Sequence, residues 1–209
     1  MKKFVITIAR QYGSGGKEMG KLLSKELDVS YYDRELLRLA ADESGINEEL
    51  FARADEKVRK TLLFKAARGA YKGEIIPPDR EDFTSNRNLF NFQAKVIRQL
   101  AESESCIIIG RCADYILRDM SNVLRIFVHA PLEACVNKSM EDHPDMSREE
   151  LMRYITRVDK NRADYYQYFT GRSWNNAENY DLCLNSHMLG WDTCLELVKA
   201  CLKVKLAEK

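Results

Sequence analysis

The sequence has almost no net charge, no long apolar run and no paired-cysteine motif, and each absence removes a class of function. With 33 Lys and Arg against 32 Asp and Glu, the formal net charge is +1. No bulk attraction to nucleic acid or an anionic membrane is therefore expected, and any electrostatic role must come from local clustering. No apolar stretch approaches the roughly eighteen residues a membrane span needs. The N-terminal apolar run follows two lysines but is too short for the core of a signal peptide. The six cysteines, at 106, 112, 135, 183, 194 and 201, form no C-x-x-C pair and no zinc-type spacing with the three histidines, so they read as reduced and mostly buried thiols. Repeats and low-complexity segments are also missing. What remains is a 209-residue chain able to bury one sizeable core. The expectation is a single cytoplasmic domain with neither nucleic acid nor membrane as a partner and with its oligomeric state open.

What is there is organised around the first thirty-odd residues. Phe4-Val5-Ile6-Thr7-Ile8-Ala9 is a β-branched run that predicts a strand, and Arg10-Gln11-Tyr12-Gly13-Ser14-Gly15-Gly16-Lys17 follows it. Met19, Leu22, Leu23 and Leu27 then recur at helical intervals. Strand, glycine turn and helix are the context of a phosphate-binding loop, in which glycines let successive N–H groups converge and the helix adds its positive end. The fit to G-x-x-x-x-G-K-[ST] is incomplete, and two registers compete. With Gly15 as the second glycine, Arg10 replaces the first, Gly16 the lysine, and Lys17 the metal-holding hydroxyl. With Gly16-Lys17 as the glycine-lysine pair, Gln11 replaces the first glycine and Glu18 the hydroxyl. The octet alone also fits a plain turn joining a buried strand to a helix, and neither register identifies a metal ligand.

Along the rest of the chain, short apolar strands alternate with amphipathic helices. Val29 to Asp33 predicts a strand that delivers Asp33 and Arg34 to its carboxyl end, where parallel sheets build ligand crevices, although Asp33 also suits a helix cap. From Gly45 the apolar stripe of Ile46, Leu50, Ala54, Val58 and Leu62 is interrupted by Gly69, Gly73 and Pro77-Pro78 before a helix carrying Leu89, Phe92, Val96, Ile97 and Leu100. Residues 45–90 are therefore expected to form an inserted subdomain. Its aromatic residues Phe64, Tyr71, Phe83 and Phe90 suit packing better than a base pocket. Cys106 to Ile109 predicts a buried strand ending in Gly110 and Arg111, and the planar fork of Arg111 suits a phosphate, a carboxylate or a salt bridge to Asp33 or Asp114. Val123 to His129 is the next strand, with Pro131 opening a helix. Ser147-Arg148-Glu149-Glu150 is a capping box, and in the helix after it Arg153, Arg157 and Lys160 share a stripe with Arg162 close by. That stripe suits either a solvated face or a basic lid. Tyr180 to Ser186 reads as a last strand and Trp191 to Leu206 as a closing helix. The alternation implies a doubly wound α/β fold with a parallel sheet.

Four segments together resemble one family. Arg10 to Lys17, Tyr31-Tyr32-Asp33-Arg34, Gly110-Arg111-Cys112-Ala113-Asp114-Tyr115 and Asn179 to Asn185 occur in the order of the cytidylate-kinase-like family, a branch beside the true cytidylate kinases among the P-loop nucleoside monophosphate kinases. The resemblance covers nearly the whole chain. It implies a three-layer α/β/α fold with a five-stranded parallel sheet, a helical acceptor-binding insertion at 45–90 and a helical lid near 145–172. It also implies ATP and Mg²⁺ as cofactors and nucleotides as substrates. Arg10, Gly13, Ser14, Gly15, Gly16 and Lys17 would then face the ATP phosphates. Asp33, Arg34, Arg111 and Asp114 would face the acceptor, and Lys17, Arg111, Arg157 and Arg162 would neutralise the transferred group. Asp159-Lys160-Asn161-Arg162 does not match the lid of the true kinases residue for residue. Counting back from Asp33 also puts Gly16 where those enzymes keep lysine.

The implied activity is transfer of the γ-phosphate of ATP to a pyrimidine nucleoside monophosphate such as CMP or dCMP. Such a reaction asks mainly for in-line positioning and charge neutralisation, so no general base is assigned. The departures in the loop keep two other readings open, a non-catalytic nucleotide-binding module and a kinase for another small phosphate acceptor.

Overall fold

The computed structural model describes residues 3–57 and 74–207. Phe64 and Tyr71, with Val58, Leu62, Gly69 and Gly73, lie outside the described residues. β1 (Val5–Arg10) runs into α1 (Gly16–Leu27), and β2 (Ser30–Tyr32) is followed by α2 (Glu35–Ser44), α3 (Glu48–Lys57) and α4 (Asn86–Ser103). β3 (Cys106–Ile109) and the short α5 (Ala113–Ile116) lead to β4 (Val123–His129), α6 (Leu132–Ser139) and the long α7 (Arg148–Thr170). A 3-10 turn at Ala177–Asn179, β5 (Leu182–Asn185), the short α8 (Ser186–Leu189) and α9 (Trp191–Ala207) close the described chain.

The five strands pair in parallel in the order β2-β3-β1-β4-β5. β1 is central because both its faces are apolar. Val5 and Ala9 enter the core under α2, α4 and α5, while Ile6 and Ile8 join Met19 and Leu23 of α1 and Val198 of α9 on the other face. A strand buried on both sides has no polar alternation, as the sequence of β1 and β3 shows. The order reverses direction on either side of β1, which opens a crevice beyond the carboxyl ends of β1, β2 and β3.

The capping box acts as expected, with Ser147 and Glu150 bonding reciprocally at the start of α7. At its other end Gly171, left-handed at φ 72°, stops the helix. α4 begins at Asn86, capped by the Ser85 side chain, so the helix expected to carry Leu89 starts within the 45–90 range. Phe90 is buried and stacks on Phe169 of α7 with centroids 4.1 Å apart, while Phe83 meets Phe92 edge-on. Both aromatics pack rather than line the cleft. Among the described residues no helix is long and apolar enough to cross a membrane. Cys106, Cys112, Cys135 and Cys194 are buried, Cys201 is half-buried and Cys183 is exposed.

Candidate active site

The loop after β1 is held from three sides. Gln11 donates its backbone N–H to the Val128 carbonyl, and its side-chain oxygen accepts from the Ala130 N–H, which ties the loop to the end of β4. From α8, the Ser186 hydroxyl donates to the Ser14 carbonyl at 2.6 Å. From α7, Asp159 Oδ1 accepts from the Tyr12 N–H at 2.8 Å and from Arg162 at 3.0 Å, and Arg162 Nη1 also donates to the Arg10 carbonyl at 3.1 Å. Gly13 and Gly15 are left-handed at φ 74° and 83°, a conformation that favours glycine. Helix α1 starts at Gly16 with Gly15 at its cap. Gly15-Gly16 therefore occupies the turn-to-helix junction, and Lys17 lies one residue into the helix.

The unusual loop composition has a packing cause. A Cβ at Gly16 would come within 2.6 Å of the Arg10 Cβ, and one at Gly110 within 2.3 Å of Arg10 Nη1. The Arg10 side chain thus lies between two glycines from separate segments, and a side chain at position 16 would collide with the Cβ of residue 10. The close approach at Gly110 is made by this guanidinium. Arg10 Nη2 is 3.7 Å from Asp33 Oδ1, and Lys17 Nζ is 2.9 Å from Asp33 Oδ2. Burial, reinforced by the nearby charge of Arg162, lowers the Arg10 pKa to about 10, with Asp33 opposing the shift. Burial works to raise Asp33, but the Lys17 hydrogen bond and the Arg10 charge outweigh it and hold the carboxyl below the ordinary carboxylate value.

A cleft of about 460 Å³ opens between these strand ends and α7. Arg10, Asp33, Arg111 and Asp114 line its sheet side, and Tyr154, Arg157, Arg162 and Tyr165 its helix side. Arg111 donates from Nε to the Asp33 carbonyl at 3.4 Å, and both Arg111 and Cys112 are left-handed, at φ 57° and 54°. Non-glycine residues in that region carry about 1 kcal/mol or more of strain each and concentrate at functional sites. Asp114 is buried and accepts a 2.6 Å hydrogen bond from the Tyr166 hydroxyl. Burial raises its pKa to about 6, and the hydrogen bond opposes that shift only in part.

Of the residues singled out from the sequence, Arg10, Asp33, Arg111, Asp114, Arg157 and Arg162 meet at this cleft. Arg34 sits exposed at the start of α2 and is not among the lining residues. Asp33 makes no side-chain cap to α2, whose cap position is Arg34. Ser14 is buried and spends its hydroxyl on the Gln11 carbonyl at 2.8 Å. Exposed Arg157 has its guanidinium 5.5 Å from the Tyr154 ring centroid, while Lys160 pairs with Asp164 away from the cleft lining. Sequence reasoning missed Asp159 and Tyr166, which bond to Tyr12 and Asp114, each more than fifty residues away. It also missed Tyr12, whose hydroxyl is 2.7 Å from His143 Nε2.

A family model described as the cytidylate kinase-like family matches residues 5–188. A cytidylate kinase from Methanosarcina barkeri (strain Fusaro / DSM 804) is 27% identical over 195 residues, covering 93% of each chain. Among solved structures, an uncharacterized protein from Eubacterium ventriosum ATCC 27560 superimposes with a TM-score of 0.70 at 22% identity, covering 96% of this chain and 99% of that one. A shikimate kinase from Bacteroides thetaiotaomicron gives a TM-score of 0.54 at 14% identity, covering 96% and 98%. At such identities the structural likenesses speak to the fold, which is the P-loop three-layer α/β/α kinase fold.

Proposed function

The chain belongs to the cytidylate kinase-like family, a membership that supports a small-molecule kinase, and from that premise we propose that it transfers the γ-phosphoryl group of ATP to a pyrimidine nucleoside monophosphate such as CMP or dCMP. The observation that carries this reading is the convergence of Arg10, Arg111, Arg157 and Arg162 on one cleft beside the glycine loop. Two phosphorylated substrates bring several negative charges together, and catalysis of their reaction consists largely of holding them in line and neutralising that charge. An acceptor phosphate oxygen bonds to the γ-phosphorus as the bond to the departing ADP oxygen breaks.

The residues fit a polyphosphate better than a resident metal. Left-handed Gly13 and Gly15, with the start of α1, provide a backbone cradle for anionic oxygens. In the register that puts Gly16 at the lysine position, Lys17 takes the hydroxyl position, and no cluster of three metal-ligating side chains occurs among the described residues. Mg²⁺ would arrive on the ATP phosphates, kept there by phosphate oxygens and water, and would supply further charge neutralisation. Asp33, clamped by Arg10 and Lys17, is suited to orienting a metal-bound water or the acceptor. Arg111 is suited to the acceptor phosphate and Asp114 to the acceptor beyond it. Residues 145–172 serve as the lid in this reading, and the segment from 45 contributes to the acceptor side.

Turnover with ATP and Mg²⁺ against a panel of monophosphates, with shikimate as a non-nucleotide acceptor, tests the proposal. Phosphorylation of CMP or dCMP is expected. Turnover of another acceptor alone would reassign the substrate, and nucleotide binding without turnover would favour a non-catalytic module, a reading motivated by Gly16 at the lysine position. Arg111→Ala should weaken acceptor binding about thirtyfold, or roughly 2 kcal/mol, with little effect on ATP. Equal losses for both nucleotides would make Arg111 a support of the fold.

A further inference from the structure

The rim of the loop carries a cation that its sequence motif does not contain. Both left-handed glycines abut other parts of the chain. A Cβ at Gly13 would lie 2.7 Å from the Cys135 carbonyl and 2.8 Å from Ser139 Oγ, both on α6. A Cβ at Gly15 would lie 2.5 Å from Trp191 Cζ2 and 2.8 Å from Lys138 Nζ. The Lys138 ammonium therefore stands against the turn where α1 begins. The loop's own lysine is committed elsewhere, since Lys17 Nζ is 2.9 Å from Asp33 Oδ2.

How Lys138 is held matters as much as where. Its Nζ lies 3.6 Å from the centroid of the Trp191 ring and forms a loose ion pair with Glu18 Oε2 at 3.9 Å, too long for a hydrogen bond. An aromatic face positions a cation through its quadrupole without cancelling the charge, whereas a close carboxylate would neutralise it. Partial burial lowers the Lys138 pKa, and the charges of Glu18 and Asp142 oppose that shift only in part. We propose that Lys138, positioned by Trp191, contacts the phosphates of the donor nucleotide and supplies from α6 the charge that Gly16 leaves out of the loop. The proposal rests on the kinase reading above. It predicts a requirement for a polyphosphate, because a base or a sugar offers this ammonium no matching charge.

Isothermal titration of the full-length chain with Mg·ATP, and separately with CMP, tests it. Lys138→Met should weaken ATP binding about ten- to hundredfold, the range of one charge-assisted hydrogen bond. CMP affinity should stay unchanged, and Lys138→Arg should recover most of the ATP affinity. A lowered unfolding midpoint with unchanged ATP affinity would overturn the proposal and leave Lys138 as a brace between α6 and α9. Failure of the unmodified chain to bind ATP would overturn the proposal together with the kinase reading, whereas normal ATP binding and turnover by Lys138→Met would overturn the proposal alone. Independently of any variant, saturating ATP should protect Lys138 of the native protein several-fold from amine acylation, read by peptide mass spectrometry. Unchanged labelling would also overturn it.

Discussion

The two halves of α7 meet the rest of the molecule differently. The first half buries Leu151 and Ile155 against Cys135 and Val136 of α6, in a small cluster separate from the cores on the two sheet faces. The second half sends Tyr166 and Phe169 into the larger core, where Phe169 stacks on Phe90. Between them, Asp159 and Arg162 grip the backbone of the glycine loop at Tyr12 and Arg10. A continuous 23-residue helix is thus anchored at one end, pinned at the loop, and packed at its other end on little more than one neighbouring helix. Local stability follows buried apolar contacts, so the half bearing Arg157 is the one suited to move with a ligand, and the half bearing Tyr166 is suited to hold the cleft wall.

The comparison is most directly broken at its apolar anchors. Phe169→Ala should cost about 3–5 kcal/mol in global stability, measured by urea unfolding. Leu151→Ala should move the global midpoint by less than half as much and instead speed hydrogen exchange around α6 and the start of α7. Equal midpoint shifts would mean that the two halves unfold as one unit.

Asp114 gives the anchored half a pH signature. Its carboxyl sits at about 6 in the fold against an ordinary value of 3.8. The folded chain therefore binds the more protons between those values, and stability falls as pH rises from about 4 to about 6. Two pKa units amount to at most about 3 kcal/mol. Asp114→Asn, which still offers the Tyr166 hydroxyl an acceptor, should flatten that slope. A slope unchanged in the variant would place its origin in other groups. Asp33 acts oppositely, because its lowered pKa adds stability that is lost only as pH falls below about 4.

At the junction of the halves, Arg162→Ala removes the hydrogen bond to the Arg10 carbonyl and leaves Asp159 short of a cation. It should cost about 2 kcal/mol of stability and at least tenfold in turnover. A stable variant with intact kinetics would detach α7 from the loop. The smallest effect should be in exchange. With both nucleotides bound, residues 148–158 should gain protection while 163–170, already packed, change little. Uniform protection along α7 would erase the distinction, and no change at either end under saturating ligand would remove the lid assignment.

Much of this was legible in the chain itself. β-branched runs separated by helical periodicity specify the parallel strands and the helices between them, because strand and helix periods are local properties. The Ser147 capping box and the glycine turn after β1 are likewise local, and they set where α7 and α1 begin. Asp33 and Arg111 stood out because residues at the carboxyl ends of strands in such a fold face the crevice. The same reasoning also pointed to Arg34, which lies outside the cleft lining, whereas Asp114 was marked only by the family resemblance. Tertiary structure alone decided what these residues do to one another. Gly16 and Gly110 leave room for one arginine side chain, Lys17 and Arg10 share Asp33, Asp159 holds a loop almost 150 residues upstream, and Lys138 rests on Trp191 beside Gly15. Each pairing joins segments with no common period or motif, and its energy arises only once the sheet has brought strand ends and helix starts within a few ångströms. The sequence alone therefore determined the architecture and the kinds of charge at the site, and packing decided which charges neutralise each other and which remain for a ligand.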